Sequence, residues 1–360
     1  MLGALALALV VVLVPFALSD RSKEQPPRDT DDLGAAPVAD EDGAALGLAA
    51  GGSLQYQPAQ AVAADLDAFE ASGAPWVRVD VHWSAVQEGG PDAFDWTAHD
   101  VMIEAARARG LRVLAMIGYT PEWASGEADD KFPPRDPADF GRFCRAAAER
   151  YGPRDVRHWE VWNEPNIAGF WQPAADVDAY AAVLEACSEG IRGVDDEAVV
   201  ITGGTAPARN SADSVAPVTW VRGLYAAGAG EAFDAVGHHP YTWPNDTRER
   251  STDSAWWVTA GTRRSIRSTM RENGDGHKRV WATEFGAPTS AVGDENQERI
   301  LRQAWQEWSA RAWAGPLFWY QLRDEGGDPD DDDGWFGLLR PDGSAKPACD
   351  TFRRLAEAGP

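Results

Sequence analysis

In the stretch V-R-H-W-E-V-W-N-E-P, Val156–Pro165, an apolar run short enough for one strand ends abruptly in an amide, a carboxylate and a proline. Such runs of four to eight residues, bounded by turn residues, read as strands buried on both faces. Seven more of the same kind occur: Ala45–Ala50, Trp76–His82, Leu111–Gly118, Val199–Gly203, Phe233–His239, Arg279–Glu284 and Pro316–Leu322. With Val156–Trp162 that makes eight. Amphipathic patterns of helical period separate most of them, notably Ala59–Ser72, Thr97–Arg109, Pro137–Tyr151, Val177–Val194 and Glu295–Ala312. Strands alternating with helices demand a parallel sheet with right-handed crossovers. Closure of eight such units gives an α/β fold, the TIM (β/α)8 barrel. An open doubly wound sheet is the competing architecture, but no Gly-rich strand-to-helix turn for phosphates accompanies these strands.

Outside the barrel, Met1–Leu18 is a nearly unbroken apolar run, with Ala17-Leu18-Ser19 offering small residues for cleavage. Residues 1–19 are therefore expected to be a signal peptide or a membrane anchor. The basic segment that usually opens a signal peptide is missing, whereas Arg21 and Lys23 follow the run. Residues 20–43, rich in Asp, Pro, Glu and Arg, read as a disordered linker. A single domain, 44–360, follows. The expected location is secreted, or outside the cytoplasm on an anchor, and any membrane contact is through the N-terminal segment alone.

The 360 residues carry 33 Lys and Arg against 57 Asp and Glu, a net charge of −24. Nucleic acid is excluded as a partner, since phosphate neutralisation needs clustered cations. Cys144, Cys187 and Cys349 have no spacing that suits zinc. One disulfide is open to them, but buried free thiols are the preferred reading.

A parallel barrel collects its function at the C-terminal ends of its strands, and polar residues gather there. Arg78, Asp80 and His82 lie at the end of the second strand, and Tyr119 and Trp123 follow the third. The sixth ends in His238, His239 and Tyr241, and the seventh in T-E-F-G, Thr283–Gly286. Glu164 and Glu284 stand out, because each closes an apolar strand where a core position favours Val or Leu. An unpaired buried carboxylate is costly. Each Glu is thus either ion-paired, for instance to Arg78, or used. Two facing carboxyls among aromatic rings suit cleavage of a glycosidic bond, which needs one acid for the leaving oxygen and one carboxylate for the sugar carbon. The 17 Trp residues supply faces for pyranose rings.

W-N-E-P after the fourth strand and T-E-F-G after the seventh resemble the retaining glycoside hydrolases of clan A, nearest to family 39 and related cellulase-like enzymes. The resemblance runs from the first strand to Lys346–Ala348. It implies hydrolysis of a β-linked oligo- or polysaccharide by double displacement, with no cofactor and no metal. By it, Glu164 is the acid/base, Glu284 the nucleophile and Asn163 the partner of the sugar 2-hydroxyl. Arg78, His239 and Tyr241 surround the nucleophile, and Trp319 is the floor of the sugar site. A transglycosylase that remodels surface polysaccharide would use the same residues. A catalytically silent glycan-binding barrel is a further alternative.

Other residues carry weaker signals. His82 shares strand parity with Arg78 and is expected either at substrate or in a structural hydrogen bond. His238, of opposite parity to His239, is expected to be structural, and Glu160 to be a salt-bridged carboxylate beneath the site. Trp123 is a candidate for a sugar subsite or for loop packing, and Asp324 for sugar contact near Trp319. The acidic loop Arg323–Gly334 lacks the spacing of an EF-hand and reads as a solvated rim.

Overall fold

A computed structural model describes residues 42–328 and 330–360; the expected export segment and nearly all of the expected linker lie outside these. Asp42, placed in the linker by the sequence, is already tied to the fold, 2.9 Å from His158 Nε2. Eight parallel strands close into a barrel in sequence order. They are β1 (Leu46–Ala49), β2 (Trp76–His82), β3 (Arg112–Gly118), β4 (His158–Val161), β5 (Val199–Thr202), β6 (Ala235–His238), β7 (Arg279–Phe285) and β8 (Ala314–Trp319). The fold is a single-domain TIM barrel. Among the described residues no helix is long and apolar enough to cross a membrane.

Side chains alternate between the two faces of each strand and sort into two layers. Trp76, Leu114, Ile201, Trp281 and Phe318 fill the barrel interior, with Trp76 edge-on to Trp281 at 5.4 Å. Val77, Val79, Val81, Trp159 and Val161 pack outward beneath the helices. The interior is crowded enough that Gly47 has no room for a side chain: a Cβ there would lie 2.5 Å from the Phe318 ring.

Two of the long helices open on aspartate caps. Asp136 accepts from the Ala138 amide ahead of helix Pro137–Tyr151, whose first residue is the proline favoured there. Asp176 does the same for Asp178 and Ala179 ahead of helix Val177–Arg192. These two helices approach closely through Gly141 and Gly190; a Cβ on Gly190 would meet the Gly141 carbonyl at 2.3 Å. That contact brings Cys144 and Cys187 together in a disulfide, with Cα atoms 5.2 Å apart. The preference for free thiols is corrected here for this pair, and only Cys349 is free. Cysteine spacing does not reveal a pairing created by helix packing.

The bond joins residues 43 positions apart, and a loop of that length restrains the unfolded chain by about 4 kcal/mol on the chain-entropy account. Replacing both cysteines by alanine is expected to lower the unfolding free energy by about 2–4 kcal/mol. Urea denaturation followed by tryptophan fluorescence measures this, and an unchanged midpoint would show that the bond carries no stability.

Candidate active site

At the C-terminal mouth of the barrel, β2, β4, β6 and β7 bring one cation and several carboxylates together. Arg78 projects inward from β2 and is 3% exposed. Its Nε donates to Glu160 Oε2 at 2.5 Å, Nη1 to Glu284 Oε1 at 2.7 Å and Nη2 to Asn163 Oδ1 at 2.8 Å. Burial works against the guanidinium charge, but Glu160 and Glu284 outweigh it and raise its pKa well above the ordinary value. Glu284 is completed by the Tyr241 hydroxyl, which donates to Oε2 at 2.9 Å.

Glu160 is fully buried. Besides Arg78 Nε, it accepts from the Gly204 amide at 2.9 Å and the Thr283 hydroxyl at 2.8 Å, both through Oε1. This fixes protons further along. Thr283 spends its proton on Glu160, so its oxygen must accept from His239 Nε2, 3.1 Å away. His239 then carries a proton on Nε2 and presents Nδ1 to Glu164 Oε1 at 2.9 Å. One proton between Nδ1 and the carboxyl serves both groups.

The electrostatics agree with that sharing. Burial pushes the Glu164 carboxyl above its usual range, against the pull of His239. Burial acts on His239 in the opposite direction, but the Glu284 and Glu164 charges outweigh it and raise its pKa. Gly204 makes room for the ring, since a Cβ there would lie 2.1 Å from His239 Nε2. Trp162 and Glu164 have φ of 72° and 46°, a left-handed conformation that is uncommon for such residues and costs about 1–3 kcal/mol each. The left-handed turn after β4 thereby brings Glu164 to Nδ1 of His239.

The result is a trio. One oxygen of Glu164, one of Glu284 and a ring nitrogen of His239 all lie within 4.8 Å of one another. Among the described residues this is the group whose donors converge enough to hold a metal ion. A cation placed there would compete with the Arg78 guanidinium and with the shared proton, which already account for the contacts.

The structure places the other expected residues variously. Asn163 is beside Arg78 at the mouth. His239 stands beside Glu284 as expected, with Nδ1 3.6 Å from Oε2, but its hydrogen bond goes to Glu164. His82 is buried, 2.8 Å from the Tyr56 hydroxyl and edge-on to Tyr119. His238 bonds Thr205 and the Ala255 carbonyl. Trp123 packs against Trp83 at 5.6 Å and donates to the Gln87 carbonyl at 2.8 Å, the contacts of loop packing.

Two expectations are corrected. Asp324 is 2% exposed, with Lys346 Nζ and the Gly337 amide each 2.7 Å from Oδ1; a carboxylate so enclosed meets no sugar. Trp319 is fully buried on the helix-facing side of β8, edge-on to Phe285 and donating to the Phe336 carbonyl at 3.2 Å. Its neighbour Tyr320 shares the barrel-facing layer with Phe318. Burial, then the charges of Glu284, Glu325, Asp333 and Asp80, push the Tyr320 hydroxyl well up. Alternation along the strand turns neighbours to opposite faces, so Tyr320 takes the place expected of Trp319. In the acidic loop, Asp328 and Asp331 cap the Asp330 and Asp333 amides. Burial and the Asp331, Asp332 and Glu164 charges push Asp333 up to about 7.

Sequence reasoning missed Thr283, Gly204 and Tyr320. Thr283 is in the quoted T-E-F-G motif, but its role exists only through Glu160 and His239.

A parallel barrel with a carboxylate pair at its mouth defines the class: this is a glycoside hydrolase architecture. Residues 39–322 match the model of the cellulase family, glycosyl hydrolase family 5, and the chain belongs to that family. A β-xylosidase of Geobacillus stearothermophilus is 28% identical over 164 residues, 41% of this chain and 31% of that protein. The matched stretch is thus about a third of the length of that relative. Among solved structures, a family 39 glycoside hydrolase from Bacteroides cellulosilyticus WH2 superposes with a TM-score of 0.67 at 21% identity, covering 89% of this chain and 64% of that one. An exo-β-1,4-mannosidase from Opitutaceae bacterium strain TAV5 gives a TM-score of 0.59 at 18% identity, covering 87% and 59%. These two likenesses concern the fold.

Arg78→Met is expected to lower the unfolding free energy by about 3–5 kcal/mol, because it leaves Glu160 and Glu284 buried without their cation. Chemical denaturation at neutral pH measures it; a loss below about 1 kcal/mol would mean that the guanidinium does not hold the site together.

Proposed function

We propose that this chain is a retaining β-glycosidase, with Glu284 as nucleophile and Glu164 as acid/base. The observation that carries this reading is the facing pair. Retaining enzymes hold their carboxyl groups about 5–5.5 Å apart and inverting enzymes about 6.5–9.5 Å, and here the nearest approach is inside 4.8 Å. Arg78 and Tyr241 hold Glu284 charged and oriented toward the sugar carbon. Burial favours the protonated form of Glu164, which a general acid needs.

In the first step a Glu284 oxygen bonds to the anomeric carbon as the glycosidic bond breaks, and Glu164 gives its proton to the departing oxygen. In the second step Glu164 takes a proton from water, whose oxygen displaces Glu284. His239 and Thr283, tied back to Glu160, hold Glu164 in register for both steps. Asn163 faces the sugar 2-hydroxyl, and Tyr320 supplies the aromatic wall. The relative named β-xylosidase supports a β-linked substrate. The disulfide supports export to an oxidising compartment, free or anchored through the N-terminal apolar run.

Glu284→Ala is expected to reduce kcat/KM on aryl β-glycosides by at least about 10⁴-fold. Glu164→Ala is expected to lose about 10²–10⁴-fold on substrates with poor leaving groups, yet little on 2,4-dinitrophenyl glycosides, which need no acid. Proton NMR of the first product should show the β anomer. Equal losses on both leaving groups, or an α product, would refute the assignment.

The raised Glu164 pKa sets a pH dependence. The acid stays protonated to higher pH than an ordinary carboxyl, so kcat/KM should decline only as pH rises through that displaced value. Glu164→Gln, assayed on a glycoside whose leaving group needs protonation, should be slow and should lack the alkaline limb of the wild-type pH–rate profile. A limb unchanged in that variant would assign it to another residue.

A further inference from the structure

Asp80 is a carboxylate at the mouth that the scheme above leaves without a task. It follows Arg78 by two residues on β2, on the same barrel-facing side, and stands one register layer higher, level with Met116 and Glu160. Its side chain is only 9% exposed. Despite that burial its donors are distant: His82 Nε2 is 3.5 Å from Oδ2, and Arg78 Nη1 is 3.9 Å from Oδ1. Both separations lie at or beyond the limit of a hydrogen bond. Among the described residues no shorter donor to Asp80 is present.

An ionised carboxyl offers about four acceptor sites, and at Asp80 the protein itself supplies donors only at 3.5 Å and 3.9 Å. Fold stability gives no reason for such a group. Its placement gives one. The Arg78 Nη1 near Asp80 is the same atom that bonds Glu284, so the open acceptors adjoin the expected nucleophile. Gly52, in the loop after β1, stands beside Oδ2 without a side chain to shield it; a Cβ there would lie 3.5 Å away.

We propose that Asp80 is a substrate-binding residue whose two oxygens take a pair of adjacent ring hydroxyls of the sugar seated over Glu284, and whose charge turns away a sugar bearing a carboxylate. The inference rests on the glycosidase reading and adds the substrate class: an uncharged sugar with neighbouring hydroxyls, not a uronate. Two parallel charge-assisted hydrogen bonds match a carboxylate to a diol. Arg78, the cation nearest to Asp80, already serves Glu160, Glu284 and Asn163, so a uronate would meet a negative charge without a partner of its own.

Any adjacent pair on a pyranoside, 2,3 or 3,4, includes the 3-hydroxyl, and the 3-deoxy glycoside is therefore decisive. The full chain and its Asp80→Ala and Asp80→Asn variants are assayed on 2,4-dinitrophenyl β-glucoside, β-xyloside, β-galactoside and β-mannoside. The fastest of these is then compared with its 3-deoxy form and with the β-glucuronide. The wild type is expected to lose about 50-fold in kcat/KM on removal of the 3-hydroxyl. Asp80→Ala should lose a similar factor on the parent and less than about 3-fold more on the 3-deoxy form, and its relative rate on the glucuronide should rise. Asp80→Asn, isosteric and still an acceptor, should fall between and carries the comparison if Asp80→Ala does not fold. Equal losses on parent and 3-deoxy substrate would reveal a structural role and overturn this inference alone. Release of no aglycone from any of the four parents by the wild type would overturn the proposed function, and this inference with it.

Discussion

One buried guanidinium organises the mouth of this barrel. Arg78 is surrounded on three sides by Glu160, Glu284 and Asn163, and its planar fork of donors reaches all three at once, as a lysine ammonium would not. Without it, the barrel would enclose carboxylates that repel one another in a setting of low dielectric. With it, the same carboxylates become fixed points from which other hydrogen bonds are aimed.

The most consequential of those bonds run through Glu160, which touches no substrate in the proposed scheme. As an acceptor it dictates the direction of the Thr283 hydroxyl, and Thr283 dictates the tautomer of His239. His239 in turn leaves a single proton to share with Glu164. Two glutamates on the same strand and turn thus end in opposite conditions. Glu160 is saturated by donors, while Glu164, two left-handed residues later, is driven by burial toward its neutral form. Catalytic polarity of the kind proposed here needs this inequality between carboxyls of the same chemistry.

Much of this was legible beforehand. Parallel strands buried on both faces leave continuous apolar runs, and the eight runs fall within two or three residues of the strand ends. Glu164 and Glu284 were visible because a carboxylate at the end of such a run has no cheap resting place, and Glu160 because its parity puts it beneath them. Misreadings arose where parity is ambiguous or where contact is made by packing. A shift of one residue exchanges Trp319 for Tyr320 on the barrel face. Asp324 looked like a site residue through sequence proximity, yet Lys346 reaches in from a later segment to neutralise it.

By itself the sequence determined the barrel and the carboxylate pair, because period and composition are local properties that survive without coordinates. Tertiary structure alone decided which carboxylate holds the shared proton, which aromatic faces the mouth and which cysteines join. Those outcomes depend on distances of a few ångströms between groups far apart along the chain, and hydrogen-bond direction, burial and side-chain facing are defined only once the strands close.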